Sequence, residues 1–163
     1  MKKSKGFSLI ELLVVVGIIG ILGTIVIVVL GPARTKAKDT KRKVEISQIG
    51  RFFSMSCFLP DAGDGVYDLA DLIVELQVKY PQYSNVIKKA PKDPSSGTDI
   101  KTNYVYEVTN NGSNCVLYAN LENENEPITL NALVDPTPGG GSGVLKASAA
   151  GWNGTDIYYQ FSN

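Results

Sequence analysis

The sequence predicts an α+β fold in which a long N-terminal helix packs its second half on a small antiparallel sheet. Three observations predict it. Residues 7–30 are almost continuously apolar, residues 33–59 carry apolar side chains at helical spacing, and the remainder alternates in short runs broken by Gly, Pro and Asn. At 163 residues the chain has room for one modest domain and an anchor. Its formal net charge is zero, but the charges are segregated. A basic cluster of Arg34, Lys36, Lys38, Lys41, Arg42 and Lys43, interrupted only by Asp39, follows the apolar run. Acids then dominate beyond Pro60, as in Asp61, Asp64, Asp68, Asp71 and Glu75 and again in Glu122, Glu124 and Glu126.

The apolar run sets the first element. No side chain from Leu12 to Leu30 is charged, and Thr24 is the one polar residue among them. A helix rises about 1.5 Å per residue, so this segment nearly matches a bilayer core of roughly 30 Å. A secretory signal peptide would have a shorter apolar region ending at a small-x-small cleavage site. Here the run is longer and passes into Gly31, Pro32, Ala33 and Arg34. A plain single-pass anchor is disfavoured by charge. The basic cluster after the run outweighs Lys2, Lys3 and Lys5 before it, which would hold the body on the cytoplasmic side. Glu11 is the decisive residue. A carboxylate there, one turn after Phe7, costs about 3 kcal/mol on insertion scales and reads as functional and in need of a partner.

Lys5-Gly6-Phe7-Ser8-Leu9-Ile10-Glu11-Leu12-Leu13-Val14-Val15-Val16 resembles the class III leader of type IV pilins and type II secretion pseudopilins. The resemblance implies a pilin-like ladle, with residues 1–6 a prepilin leader peptide, 7–30 the transmembrane and filament-core half of the helix, 31–59 its amphipathic half, and 60–163 a globular α+β head. It implies that a prepilin peptidase cuts between Gly6 and Phe7 and methylates the new amino group of Phe7. It also implies that Glu11 neutralises the terminal amine of a neighbouring subunit. Opposite charges attract strongly in a low-dielectric filament core, and either alone is expensive, so the pair sets the stagger between subunits. The implied partners are identical or related pilin subunits, the peptidase, an inner-membrane assembly platform and the lipid bilayer. The implied location is the cytoplasmic membrane before assembly and a cell-surface or periplasmic filament after it.

Gly17, Gly20 and Gly23 recur along one helical face. Glycine is common in membrane helices, and it also permits close helix approach or local loosening; both readings stand. Gly20 matches the helix-weakening glycine of many pilins. Val28, however, stands where the family commonly has proline, and Gly31-Pro32 follow later.

Beyond the anchor, Ile46, Ile49, Phe53 and Cys57 fall on one face of the 33–59 helix, which Pro60, Gly63 and Gly65 should end. Leu69, Leu72, Ile73 and Leu76 form the face of a short second helix with Asp68 as N-cap and Tyr80-Pro81 as its close. Residues 103–109 read as a strand with Tyr104, Tyr106 and Val108 on one side. Residues 110–114 form a hairpin loop, and 115–121 the return strand, with Cys115, Leu117, Ala119 and Leu121 on one face. Residues 128–134 and 156–161 read as further strands. Asp93-Pro94 before the tyrosine strand resembles the major-pseudopilin head, without the tryptophan usual after that Asp-Pro. Residues 136–143 read as a flexible surface loop, and Trp152 as filling for a core edge.

Cys57 and Cys115 permit one pairing, and a helix packed on a sheet would bring them together. The alternatives are a disulfide, expected of an extracytoplasmic head, and two buried thiols. The absence of histidine removes Ser-His-Asp and Cys-His catalysis and His-ligated zinc, so the chain reads as no enzyme. No cofactor is called for. Residues Glu122, Glu124, Glu126 and Asp135 offer oxygens, and some pseudopilins bind calcium in a head loop, but the spacing is not that of an EF-hand and the bland reading is a solvated turn. The basic cluster has three readings: facing solvent or lipid headgroups, pairing with acidic heads of neighbouring subunits, or binding nucleic acid. The last lacks interleaved aromatics. Function therefore reads as a structural filament subunit, against the alternative of a minor pilin-like protein that binds DNA during uptake.

Overall fold

The computed structural model describes residues 7–163. Its first helix, α1, runs Leu9–Met55, and the chain divides into two compact units, one up to Thr35 and one from Lys36. The two are described separately.

In the first unit the helix is apolar on every side, and every side chain from Phe7 to Ile25 is exposed. It is long and apolar enough to cross a membrane. Thr24, its polar interruption, turns its hydroxyl back to the Ile21 carbonyl at 2.8 Å, which satisfies the group without water. Pro32 lies inside the helix, where it supplies no N–H to the ladder.

The second unit places the rest of α1 against an antiparallel sheet of five strands in the order β1-β2-β3-β5-β4. The strands are β1 Gly65–Asp68, β2 Val105–Thr109, β3 Asn114–Asn120, β4 Gly143–Lys146 and β5 Ile157–Ser162. A second helix, α2, spans Leu69–Lys79. The core forms where Ile46, Ile49 and Phe53 of α1 meet Tyr104, Tyr106, Val108, Cys115, Leu117 and Ala119 of the sheet. Leu69, Leu72, Ile73 and Leu76 of α2 close it from the side. Asp68 caps α2 by accepting from Ala70 N–H, and it also takes the N–H groups of Thr102 and Asn103. One carboxylate thereby starts a helix and fixes the entry to β2. Gly50 is required by proximity: a Cβ there would stand 2.5 Å from the Phe161 ring.

Four expectations are corrected. The first helix ends at Met55, not Leu59: the chain turns so that Phe58 enters the core and its carbonyl accepts from Tyr106 Oη at 2.9 Å. Gly63 and Gly65 do not merely end a helix but lead into β1. Residues 128–134 form no strand. Thr129 and Leu130 both donate to the Val144 carbonyl, and Leu130 and Leu133 cover the outer sheet face with Leu145 and Tyr158. The strand that pairs there is β4, which begins at the end of the glycine-rich stretch. That stretch is pinned by β5: Gln160 accepts from Thr137 N–H and donates to the Gly141 carbonyl, and Ser162 accepts from Gly139 N–H. Trp152 packs edge-on against Tyr158 over this outer layer, with ring centroids 5.9 Å apart.

Candidate functional site

The start of α1 carries the first set of candidate residues. Ser8 N–H donates to Glu11 Oε2 at 2.8 Å, and Glu11 N–H donates to Ser8 Oγ at 3.3 Å. This is a capping box, in which two helix-end donors are satisfied reciprocally. The Ser8-x-x-Glu11 spacing is its signature in the sequence, alongside the intramembrane charge and the amine pairing for which Glu11 stands out there. Phe7 is exposed beside it, and Gly6 lies outside the described residues. Gly17, Gly20 and Gly23 face open space: a Cβ at any of them would meet nothing within 4 Å. Among the described residues, no contact within the chain requires those glycines.

The second set is built on the basic cluster, of which Arg42 turns inward. Arg42 is wholly buried. Its guanidinium grips Asp93 through Nε at 2.6 Å and Nη2 at 2.9 Å, Asp39 through Nη1 at 2.6 Å, and Glu122 through Nη2 at 2.6 Å. The planar fork matches a carboxylate bidentately, which an ammonium cannot do. Asp39 in turn accepts from the N–H groups of Glu122 and Asn123 at 2.9 and 2.8 Å. Asp93 accepts from the N–H groups of Ser95 and Ser96 and from Asn153 Nδ2. Burial alone would lower the Arg42 pKa, but the three carboxylates outweigh it and hold the guanidinium charged. Burial alone would raise Asp93, but Arg42, Asn153 and the two serine N–H groups outweigh it and keep the carboxyl below its ordinary value.

Around this center, Lys38 reaches Glu122 at 3.4 Å, Lys43 pairs with Glu126, and Lys41 sits 3.7 Å from Glu45. Arg34 and Lys36 make no ion pair among the described residues. The acids of residues 122–126 are therefore not simply a solvated turn: Glu122 and Glu126 receive cations from α1. Among the described residues, no group of three or more Cys, Asp or Glu side chains is placed to hold a metal ion; of the acids weighed for calcium, Glu122 and Glu126 are turned to Arg42 and the lysines, and Asp135 accepts from Ser148 Oγ. Cys57 and Cys115 are joined by a disulfide, with Cα atoms 5.7 Å apart. It ties the segment after α1 to the start of β3.

These features define a class first: a membrane-anchored chain with a charged, disulfide-linked α+β domain. Residues 1–27 match the family described as the prokaryotic N-terminal methylation motif. That motif, and a long N-terminal helix followed by a small antiparallel sheet, support a pilin-like chain. The match ends within the apolar segment, so the head stands outside it. Neither a curated protein nor a solved structure matches the chain.

Proposed function

We propose that the chain is a structural subunit of a type IV pilus-like or type II secretion pseudopilus filament. A prepilin peptidase cuts it between Gly6 and Phe7 and methylates the Phe7 amine. The single observation that carries this reading is the first half of α1: no described side chain from Phe7 to Ile25 is buried in its own chain, and no contact among the described residues explains its glycines. Such a helix needs an external apolar partner, first lipid and then the helices of neighbouring copies. In the filament, the anionic Glu11 meets the Phe7 amine of a neighbour. Its capping role is compatible with this, since one carboxylate has about four lone-pair directions and Ser8 uses one.

The DNA-uptake reading loses its main support, because Lys38, Lys41, Arg42 and Lys43 are engaged by acids of the same chain. Arg34 and Lys36 fit headgroups at the membrane face.

The test separates cap from charge. Glu11→Ala removes both; Glu11→Gln keeps an acceptor for Ser8 N–H and removes the charge. Both variants are expected in the membrane, cleaved to begin at N-methylated Phe7, with filament yield in sheared fractions reduced at least about tenfold, given that an unpaired charge in such a core costs a few kcal/mol. Normal filaments from Glu11→Gln would defeat the charge-pairing argument. Filaments whose subunits begin at Met1 would defeat the processing reading.

A further inference from the structure

The chain holds two Asn-Gly steps, Asn111-Gly112 and Asn153-Gly154, in opposite environments. We propose that Asn111 is a site of spontaneous, one-way chemical modification, conversion to aspartate and isoaspartate, and that Asp64 is the brake on that reaction.

The chemistry needs only water. The Gly112 backbone nitrogen gives up its proton, and its electron pair forms a bond to the Asn111 side-chain carbonyl carbon. The bond from that carbon to Nδ2 breaks, and the nitrogen leaves as ammonia with the proton. The resulting five-membered imide then adds water across either of its two carbon–nitrogen bonds. One opening gives aspartate, the other isoaspartate, in which the backbone runs through the former side chain. No oxidation or reduction occurs, and a new negative charge appears at residue 111.

The site is open to this sequence of events. Asn111 sits at the tip of the turn between β2 and β3, in a run of three left-handed residues with φ of 56° at Asn110, 53° at Asn111 and 77° at Gly112. Asn and Gly tolerate that region; most residues do not. The Asn111 side chain is exposed and, among the described residues, donates and accepts no hydrogen bond that would withhold its carbonyl carbon. The residue after it has no side chain to shield the attacking nitrogen.

One group opposes it. Asp64, in the turn before β1, receives Asn111 N–H at 2.8 Å and Gly112 N–H at 3.2 Å, one on each carboxylate oxygen. A carboxylate on an N–H favours the protonated nitrogen, and the pair of bonds holds the turn in place. Deprotonating the Gly112 nitrogen beside that charge is therefore harder than in a free loop. The modification also undoes its own brake. The product places a second carboxylate beside Asp64, and isoaspartate adds a backbone carbon that moves one N–H out of register. The tie between the β1 entry turn and the hairpin is then lost for good.

Asn153-Gly154 provides the contrast. Asn153 donates from Nδ2 to Asp93 at 3.0 Å and to the Asn120 carbonyl at 2.8 Å, while its own N–H donates to Asn120 Oδ1 at 2.7 Å. Gly154 N–H is held by the Gly151 carbonyl at 3.0 Å. Attack there requires opening the Arg42–Asp93 cluster first.

The experiment incubates the full chain in detergent, in mildly alkaline heavy-oxygen water, and follows both peptides by mass spectrometry. The expected result is conversion with heavy-oxygen uptake at Asn111 at least about tenfold faster than at Asn153, because only the latter needs structural opening. Asp64→Ala should speed Asn111 several-fold and leave Asn153 unchanged. Asn153 thereby also reports whether the variant keeps its fold: acceleration at both sites marks unfolding, and Asp64→Asn, which keeps one acceptor, must then give the selective acceleration. Equal rates at the two sites in the parent chain, or a slower Asn111 in both Asp64 variants, would overturn the proposal.

Discussion

Replacing Arg42 by Met tests the claim that one buried cation holds the second half of α1 to the head. The volume is roughly kept while the guanidinium is lost, so Asp39, Asp93 and Glu122 face one another without their common partner. Removing one side of a buried ion pair costs about 3–5 kcal/mol, because the remaining charge stays desolvated. The lower end applies here. Asp93 keeps the Ser95 and Ser96 N–H groups and Asn153, Asp39 keeps two N–H donors, and Glu122 keeps Lys38. A loss of about 3 kcal/mol in a domain of this size lowers Tm by roughly 10–15 °C. The assay is thermal unfolding of the detergent-solubilised chain, followed by circular dichroism and by release of the head to protease. Arg42→Lys should fall between, since it restores charge without the fork. The pH dependence has a definite sign. Asp93 has a folded pKa depressed below 3.8, so in the parent chain its contribution is fully present above that value and is lost as pH falls through the lower folded pKa. In Arg42→Met, Asp93 and Glu122 lose the guanidinium that holds their carboxyls low and take up protons more readily, so the gap between variant and parent should narrow as pH falls from neutral towards 4. The double variant Arg42→Met with Asp93→Asn should lose much less than the sum of the single losses. A Tm for Arg42→Met within a few degrees of the parent at neutral pH, or a gap independent of pH, would refute the reasoning.

Two further outcomes follow from the packing. Cys115→Ser removes a crosslink spanning 58 residues, worth about 4 kcal/mol in the chain-entropy model, and should lower Tm by a margin that reductant reproduces in the parent but not in the variant. Gly50→Ala gains about 1 kcal/mol of helix propensity, yet its Cβ would collide with the Phe161 ring, an overpacking cost of about 1–3 kcal/mol; a net loss in thermal unfolding is expected, and a gain would show that β5 yields freely.

What could be read from the sequence was whatever obeyed an apolar period. The buried positions Ile46, Ile49 and Phe53, the face of α2 with its Asp68 cap, and the alternation in β2 and β3 all appear there. The stripe on α1 nevertheless continues upward as Arg42 and Asp39, at the same spacing of three and four, and both are fully buried. Hydrophobic patterning cannot register a charged pair as core, since its burial depends on Asp93 and Glu122, far away in the chain. The strands β1 and β4 were missed for a related reason. Each has four residues, too few to establish a period, and β4 emerges from a glycine-rich run whose order is imposed by Gln160 and Ser162. The capping box at Ser8 and Glu11 was legible, but the membrane cost of Glu11 drew the reading away from its local partner.

The two halves of α1 satisfy their side chains by different means. Beyond Lys36, the inward face finds its partners within the chain: Ile46, Ile49 and Phe53 in the core, Arg42 and Asp39 in a carboxylate cluster, Glu45 at the Tyr104 hydroxyl. From Phe7 to Ile25 the side chains find none, and the polar groups there, Ser8, Glu11 and Thr24, are satisfied by the helix itself. A segment whose polar groups are closed on themselves and whose apolar surface is wholly open is suited to hydrocarbon and to the same surface on another copy alike. Neither environment demands that the segment change its internal hydrogen bonds, so passage from one to the other costs little in the helix itself. What would distinguish the two, in the filament proposed above, is the free capacity of Glu11, which lipid leaves unanswered and a neighbouring amine would fill.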